Sequence, residues 1–252
     1  MGFDKLLGND QLKENLRAAR RKGRLSHFYL LSGPRGSGKH TLADLIAAAM
    51  LCQEPEGPCG VCRHCRKLLS GNHPDYITID DPEKKIIPVK IVRDARTDMY
   101  IKPNEGSKKI YLFPRAQDLN LEGQNSLLKV LEEPPAYGVF LLLTDNPEKL
   151  LPTVRSRCVE LKLRALPEGL LERKLREEFP DADAERIAAA IGRSGGYLGQ
   201  ARELLSGQGL SENALHFAAA FAARDTFGLQ KLLTPMEKWK RDTVLRASRL
   251  HN

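Results

Sequence analysis

The chain has 252 residues, of which 41% are hydrophobic and 29% charged, so it can bury a sizeable core and is typical of a globular protein. Its longest apolar run is far shorter than the roughly 18 residues of a membrane helix. The first twenty residues are charged throughout and lack a signal-peptide core. We therefore expect a cytoplasmic protein without a membrane partner. The net charge of +8 favours contact with nucleic acid or another acidic partner, although many proteins share this balance.

Hydrophobic periodicity predicts the elements in chain order. A first helix is predicted over 9–21, a short apolar strand over 27–31, and a second helix over 41–51 after a glycine-rich loop. Further strands are predicted at 76–79, 110–113, 139–143 and 159–163, with helical segments between them. Strands that alternate with helices are typical of the α/β class. The pattern thus predicts a parallel sheet with helices on both faces.

A change in composition at Arg164 predicts a domain boundary. The first domain covers 1–163, and the second covers 164–207, where helices are predicted at 167–179, 182–193 and 198–205. Glycines around Gln208 mark a second joint. The remaining residues, 208–252, are alanine-rich and basic but too few for a core of their own. They are predicted to begin a third, truncated helical domain.

The loop between the first predicted strand and the second helix reads G-P-R-G-S-G-K and matches the phosphate-loop pattern G-x-x-x-x-G-K. Its glycines let backbone amides turn towards phosphate oxygens, and the lysine reaches the outer phosphates. The residue after the lysine is normally the Ser or Thr that holds Mg²⁺, but here it is histidine. The loop therefore predicts bound nucleotide, ATP or ADP, whereas the histidine disfavours metal-assisted hydrolysis. A chance glycine turn is the competing interpretation. The candidate residues are Gly33, Gly36, Ser37, Gly38, Lys39, His40 and Thr41.

Four cysteines are spaced C-x6-C-x2-C-x2-C, at Cys52, Cys59, Cys62 and Cys65. Four thiolates close a tetrahedral shell and leave no position for water, which predicts a structural zinc site. An iron–sulfur cluster is the competing interpretation. His64, between two of the ligands, is expected to be a solvated neighbour.

The chain resembles the bacterial clamp-loader branch of the AAA+ family. The resemblance depends on the phosphate loop, the cysteine module behind it, the N-S-L-L-K-V-L-E-E-P-P stretch at 125–135, and T-V-R-S-R-C at 153–158. It implies a RecA-like AAA+ sheet domain with a zinc-module insertion, a small helical lid and the start of a helical collar. It also implies that Arg157 is an arginine finger acting on a neighbouring subunit, and that Thr144 is a phosphate sensor. Without the resemblance, Arg157 would be interpreted as part of a solvated strand edge.

Two departures from that family pattern affect catalysis. Active relatives end the strand before the 125–135 stretch in Asp-Glu, whereas this chain has Pro114 and Arg115. Active relatives also carry a lid arginine where this chain has Gly199. Together with His40, these changes imply a subunit without ATPase activity, as in the delta-prime subunits of the DNA polymerase III holoenzyme.

The implied partners are the gamma or tau ATPase, the delta subunit, the sliding clamp indirectly, and primed DNA in the assembled complex. Two alternatives stay open at this point. One is an ATP-hydrolysing gamma or tau subunit. The other is a stand-alone zinc-dependent DNA-binding module that uses Arg63, Arg66 and Lys67 beside the cysteines.

Overall fold

The computed structural model describes residues 2–207. The predicted third domain, 208–252, lies outside this range. Residues up to Ala201 form one compact unit and a second begins at Arg202, so the predicted boundary at Arg164 stays a prediction. None of the helices over 2–207 has both the length and the apolar character needed to cross a membrane.

In the described part of the chain, five parallel strands form a single sheet in the order β2-β3-β4-β1-β5. This confirms the predicted parallel α/β sheet. Each predicted strand is present, and no strand end lies more than one residue from its predicted position. The strands are β1 (Phe28–Ser32), β2 (Tyr76–Thr78), β3 (Lys109–Phe113), β4 (Gly138–Thr144) and β5 (Val159–Lys162).

Within residues 2–207, six α-helices accompany the sheet and three more follow it. The second helix begins at Lys39 rather than at the predicted Thr41, because Gly38 adopts a left-handed conformation and ends the loop there. The helices are α1 (Asp10–Arg21), α2 (Lys39–Leu51), α3 (Arg63–Leu69), α4 (Val89–Asp98), α5 (Leu121–Glu132), α6 (Pro152–Arg155), α7 (Glu168–Glu178), α8 (Ala184–Arg193) and α9 (Leu198–Leu205).

The core has two parts, one on each face of the sheet. Successive side chains of a strand point to opposite faces, so β1 sends Tyr29 and Leu31 to one side and Phe28 and Leu30 to the other. The first side packs against α1, α2 and α3, and the second against α4, α5 and α6. Strands buried on both faces are nearly continuously hydrophobic, as β1, β3 and β4 are apart from Ser32, Lys109 and Thr144 at their ends.

Candidate functional site

The phosphate loop, residues 33–38, leaves the carboxyl end of β1 and leads into α2. Ligands of open α/β sheets bind at this edge, where the strand order reverses. The amide of Gly33 donates to the carbonyl of Thr144 at the end of β4, over 3.2 Å. The sheet therefore brings the predicted loop and the predicted sensor residue together.

Lys39 is almost fully buried, and its ammonium is held by the loop itself. Its Nζ donates to the carbonyl oxygens of Gly33 (2.5 Å) and Pro34 (2.9 Å). Burial lowers the pKa of Lys39, and the negative charge of Asp145 partly opposes this shift. A phosphate group bound here would share the ammonium with these two carbonyls.

The other candidate residues in or near the loop differ in burial and in hydrogen bonding. The Ser37 hydroxyl is buried and finds no hydrogen-bond partner among residues 2–207, an arrangement that a bound phosphate or water satisfies. His40 is exposed and Thr41 is half-buried. Thr144 is fully buried, and its Oγ1 accepts a hydrogen bond from the amide of Asn146 at 3.1 Å. The orphan hydroxyl of Ser37 is consistent with nucleotide at this loop.

The first turn of helix α9 lies directly against the phosphate loop. The amide of Gly199 donates to the carbonyl of Gly36 over 3.0 Å, and the Gln200 side chain donates to the carbonyl of Arg35 over 2.9 Å. A Cβ added to Gly199 would lie 2.5 Å from the Cα of Gly36. In this arrangement position 199 has no space for the lid arginine that the resemblance to clamp-loader ATPases leads one to expect there.

Arg115 lies two residues after the end of β3, where the resemblance to clamp-loader ATPases leads to the expectation of an acidic pair. Its guanidinium bonds the carboxylate of Asp80 at 2.5 Å and that of Asp118 at 3.3 Å. It also donates to the carbonyls of Asp81 and Lys84. One guanidinium is thus shared by two carboxylates and offsets part of their negative charge, which disfavours Mg²⁺ at this position.

Arg157 follows α6 and is held by two oxygen atoms. Its two terminal nitrogens donate to the carbonyl of Thr153 (2.9 Å) and to the carboxylate of Glu132 (2.8 Å). About a third of the side chain, 36%, is exposed. The next residue, Cys158, packs against the core, and burial raises the pKa of its thiol to about 12.

The four predicted cysteine ligands come together between α2 and α3. Their sulfur atoms all lie within 4.8 Å of one another, with 4.0 Å between Cys59 and Cys65 and 3.9 Å between Cys62 and Cys52. Zn–S bonds of about 2.3 Å in a tetrahedron place sulfur atoms about 3.8 Å apart. A polynuclear iron–sulfur cluster distributes its ligands over several irons and needs wider spacing. The donor set therefore fits one metal ion such as zinc.

Backbone amides lower the pKa of one of these thiols, whereas burial raises the pKa of another. The amides of Cys62 and Val61 donate to the sulfur of Cys59 and lower its pKa to about 6. Burial raises the pKa of Cys65 to about 12. A bound cation would stabilise all four as thiolates.

The expectation that His64 is solvated was wrong. His64 is buried, and its Nδ1 lies 2.9 Å from Nε2 of His73, which is also buried. The reason is that α3 packs its inner face against the segment before β2. This helix is further attached by Arg63 and Lys67, which form ion pairs with Glu105.

With these features located, comparison with known proteins identifies the family. Residues 8–167 match the family described as DNA polymerase III, delta subunit. The chain belongs to this family. The resemblance to clamp-loader proteins noted from the sequence is confirmed.

Curated relatives of this chain include both delta′ and tau subunits of DNA polymerase III. The chain is 39% identical to DNA polymerase III subunit delta′ of Pseudomonas aeruginosa over 192 residues, or 74% of this chain and 58% of that protein. It is 37% identical to subunit tau of Escherichia coli over 166 residues, or 65% of this chain and 26% of that protein. The chain thus spans only part of the length of either relative.

Solved structures confirm the AAA+ type of fold for this delta-family chain. The RuvB Holliday junction branch migration motor of Thermotoga maritima superposes with a TM-score of 0.55 at 18% identity, over 92% of this chain and 71% of RuvB. A gamma subunit-related protein of the same organism superposes with a TM-score of 0.50 at 19% identity, over 88% and 83% of the two chains. At such identities the likeness establishes the fold alone.

Proposed function

We propose that the chain is a non-hydrolysing, delta-prime-like subunit of the DNA polymerase III clamp loader, which supports loading of the sliding clamp on DNA during replication. The observation that carries the proposal is Arg115, bound to Asp80 and Asp118 at the end of β3. Hydrolysis of a nucleotide needs a carboxylate there to hold Mg²⁺ and orient the attacking water. A guanidinium supplies neither function.

The contact between lid and loop supports the same proposal. Gly199 leaves no side chain to sense the outer phosphate, and its backbone is bonded to Gly36. Nucleotide, where bound, would be held by the loop amides, by Lys39 and by the hydroxyls of Ser37 and Thr41. The chain then binds ATP or ADP without turnover.

The cysteine cluster is proposed to hold one structural zinc ion. Cys52 caps the end of α2, Cys62 caps the start of α3, and Cys65 lies within α3. A metal bound to all three, together with Cys59, would fix α3 against α2. Because four sulfurs fill the shell, the ion has no open position for catalysis.

Arg157 is proposed to act in trans on ATP held by a neighbouring gamma or tau subunit. A guanidinium suits this role because its charge is permanent and its donors are forked. Delta, the sliding clamp and primed DNA complete the proposed assembly. The chain thus contributes a residue to an active site that it does not itself contain.

A reconstituted clamp loader tests this proposal. Arg157→Ala should lower ATP turnover at the interface it faces by about 10³-fold or more, since arginine fingers contribute about 10³- to 10⁵-fold. Arg155→Ala is the matched control, because Arg155 lies two residues earlier and pairs with Glu148 instead. Equal turnover by the wild-type and Arg157→Ala complexes, with assembly intact, would argue against the proposal.

An ATP-hydrolysing gamma or tau subunit is the second candidate, favoured by the identity to tau of Escherichia coli. It requires a working phosphate loop in this chain. Lys39→Ala would then abolish turnover by the purified chain alone, whereas the leading proposal expects no turnover to abolish.

A further inference from the structure

Helix α5 holds the segment that leads to Arg157 at two points. At the first point the Gln124 side chain, which is 2% exposed, acts as both donor and acceptor towards the backbone of residues 149–151. Its amide nitrogen donates to the carbonyl of Lys149 (3.1 Å), and its oxygen accepts from the amide of Leu151 (2.7 Å). Buried polar groups satisfied in this way fix local geometry.

Apolar packing continues between the two points. Val154 of α6 is buried in the same core as Leu127, Val130 and Leu131 of α5. Leu150, just before α6, is buried there as well. The backbone that carries Arg157 is therefore fixed to α5 over two turns or more of that helix.

The second point is an ion pair at the last residue of α5. The carboxylate of Glu132 accepts a hydrogen bond from one terminal nitrogen of Arg157, at 2.8 Å. The other terminal nitrogen is held by the carbonyl of Thr153, at 2.9 Å. A free arginine side chain samples many rotamers, and these two contacts favour the one in which the guanidinium lies between Thr153 and Glu132. Remaining N–H groups of the fork stay available for a third oxygen, such as that of a phosphate.

We propose that Glu132 is a positioning residue that orients Arg157 for ATP bound by the neighbouring subunit. This inference rests on the proposed function, because it gives Glu132 a role only if Arg157 acts in trans. Glu132 touches neither substrate nor metal and acts through the guanidinium alone. An exposed ion pair is a weak restraint, so its removal should lower partner turnover by about two- to fivefold rather than abolish it.

The experiment compares variants of the full protein in reconstituted clamp loader. Glu132→Ala should lower kcat for ATP two- to fivefold while KM stays unchanged, because the partner still binds its nucleotide normally. Glu132→Gln keeps a hydrogen-bond acceptor and should recover part of the loss. Glu133→Ala, which removes the adjacent carboxylate without disturbing the pair, is the control and should behave as wild type. High salt should reduce the difference between Glu132→Ala and wild type, because it screens the pair.

A double variant separates this inference from the function on which it rests. In an Arg157→Ala background, Glu132→Ala should change nothing further, since the group it orients is absent. If Arg157→Ala itself leaves turnover unchanged, both the proposed function and the role of Glu132 are wrong. Suppose instead that Arg157→Ala lowers turnover. The positioning role alone is then wrong if Glu132→Ala has the same kcat as Glu133→Ala or a higher kcat than wild type. It is also wrong if Glu132→Ala lowers kcat by the same factor in the Arg157→Ala background as in wild type. Melting temperature and complex assembly are measured for every variant, so that misfolding is recognised.

Discussion

Because the backbones of Gly36 and Gly199 are in close contact, a single methyl group added at position 199 should destabilise the protein. In Gly199→Ala the new Cβ would lie 2.5 Å from the Cα and 2.8 Å from the carbonyl oxygen of Gly36. Both neighbours are backbone atoms, which do not rotate away as a side chain does. Helix α9 must therefore move off the loop, or the loop must change its path.

The size of the effect follows from three contributions. Overpacking of this kind costs about 1–3 kcal/mol. Weakening the hydrogen bond from Gly199 to Gly36 costs about 1 kcal/mol more. Replacing a glycine inside a helix with alanine returns up to about 1 kcal/mol. We expect a net loss of about 1–3 kcal/mol in the free energy of unfolding.

Denaturant unfolding of Gly199→Ala beside Gly192→Ala measures this loss. Gly192 is also helical, but a Cβ there meets nothing within 4 Å, so alanine should be neutral or stabilising. Hydrogen exchange at residue 199 should also become faster as its bond to the loop weakens. If the two variants were equally stable and exchange at 199 were unchanged, the backbone contact would not exist as described.

Three further predictions concern the metal and a buried acid. The purified chain should contain one zinc ion. Removal of the zinc by a chelator should lower the melting temperature of the protein. An unchanged melting temperature after complete removal would contradict a structural role. Cys65→Ser should lose the metal whereas Cys158→Ser, outside the cluster, should keep it, as metal analysis can check. Burial raises the pKa of Asp75, but the amides of residues 104–106 outweigh this and hold it below 3.8. The ionised Asp75 carboxylate therefore stabilises the folded chain above about pH 4, and this stabilisation is lost as the pH falls through the lowered pKa. Asp75→Asn should reduce the free energy of unfolding by about 1–3 kcal/mol at pH 6 and by less at pH 3. Equal losses at both pH values would show that ionisation is unimportant.

Much of the fold was predictable because local sequence and tertiary environment agree. Strands β1, β3 and β4 are buried on both faces and read as continuous apolar runs, which single them out along the chain. The phosphate loop has a fixed order of glycines between a strand and a helix. Helix α3 was missed because its seven residues are too few to show a helical period.

The finer geometry of the candidate site was not predictable in the same way. The approach of Gly36 to Gly199 joins backbones far apart in the chain, and a glycine carries no sign of its partner. Sequence also gave no means to pair Arg157 with Glu132, since each is common on a solvated surface. His64 was expected to be solvated, because nothing in the local sequence connects it with His73.

The proposed role requires that this chain does not hydrolyse ATP. The direct test is ATP turnover by the purified protein with Mg²⁺, measured together with nucleotide binding and compared with Lys39→Ala. We predict binding that Lys39→Ala weakens, with turnover at background in both proteins. Turnover typical of active motors, abolished by Lys39→Ala, would contradict the account.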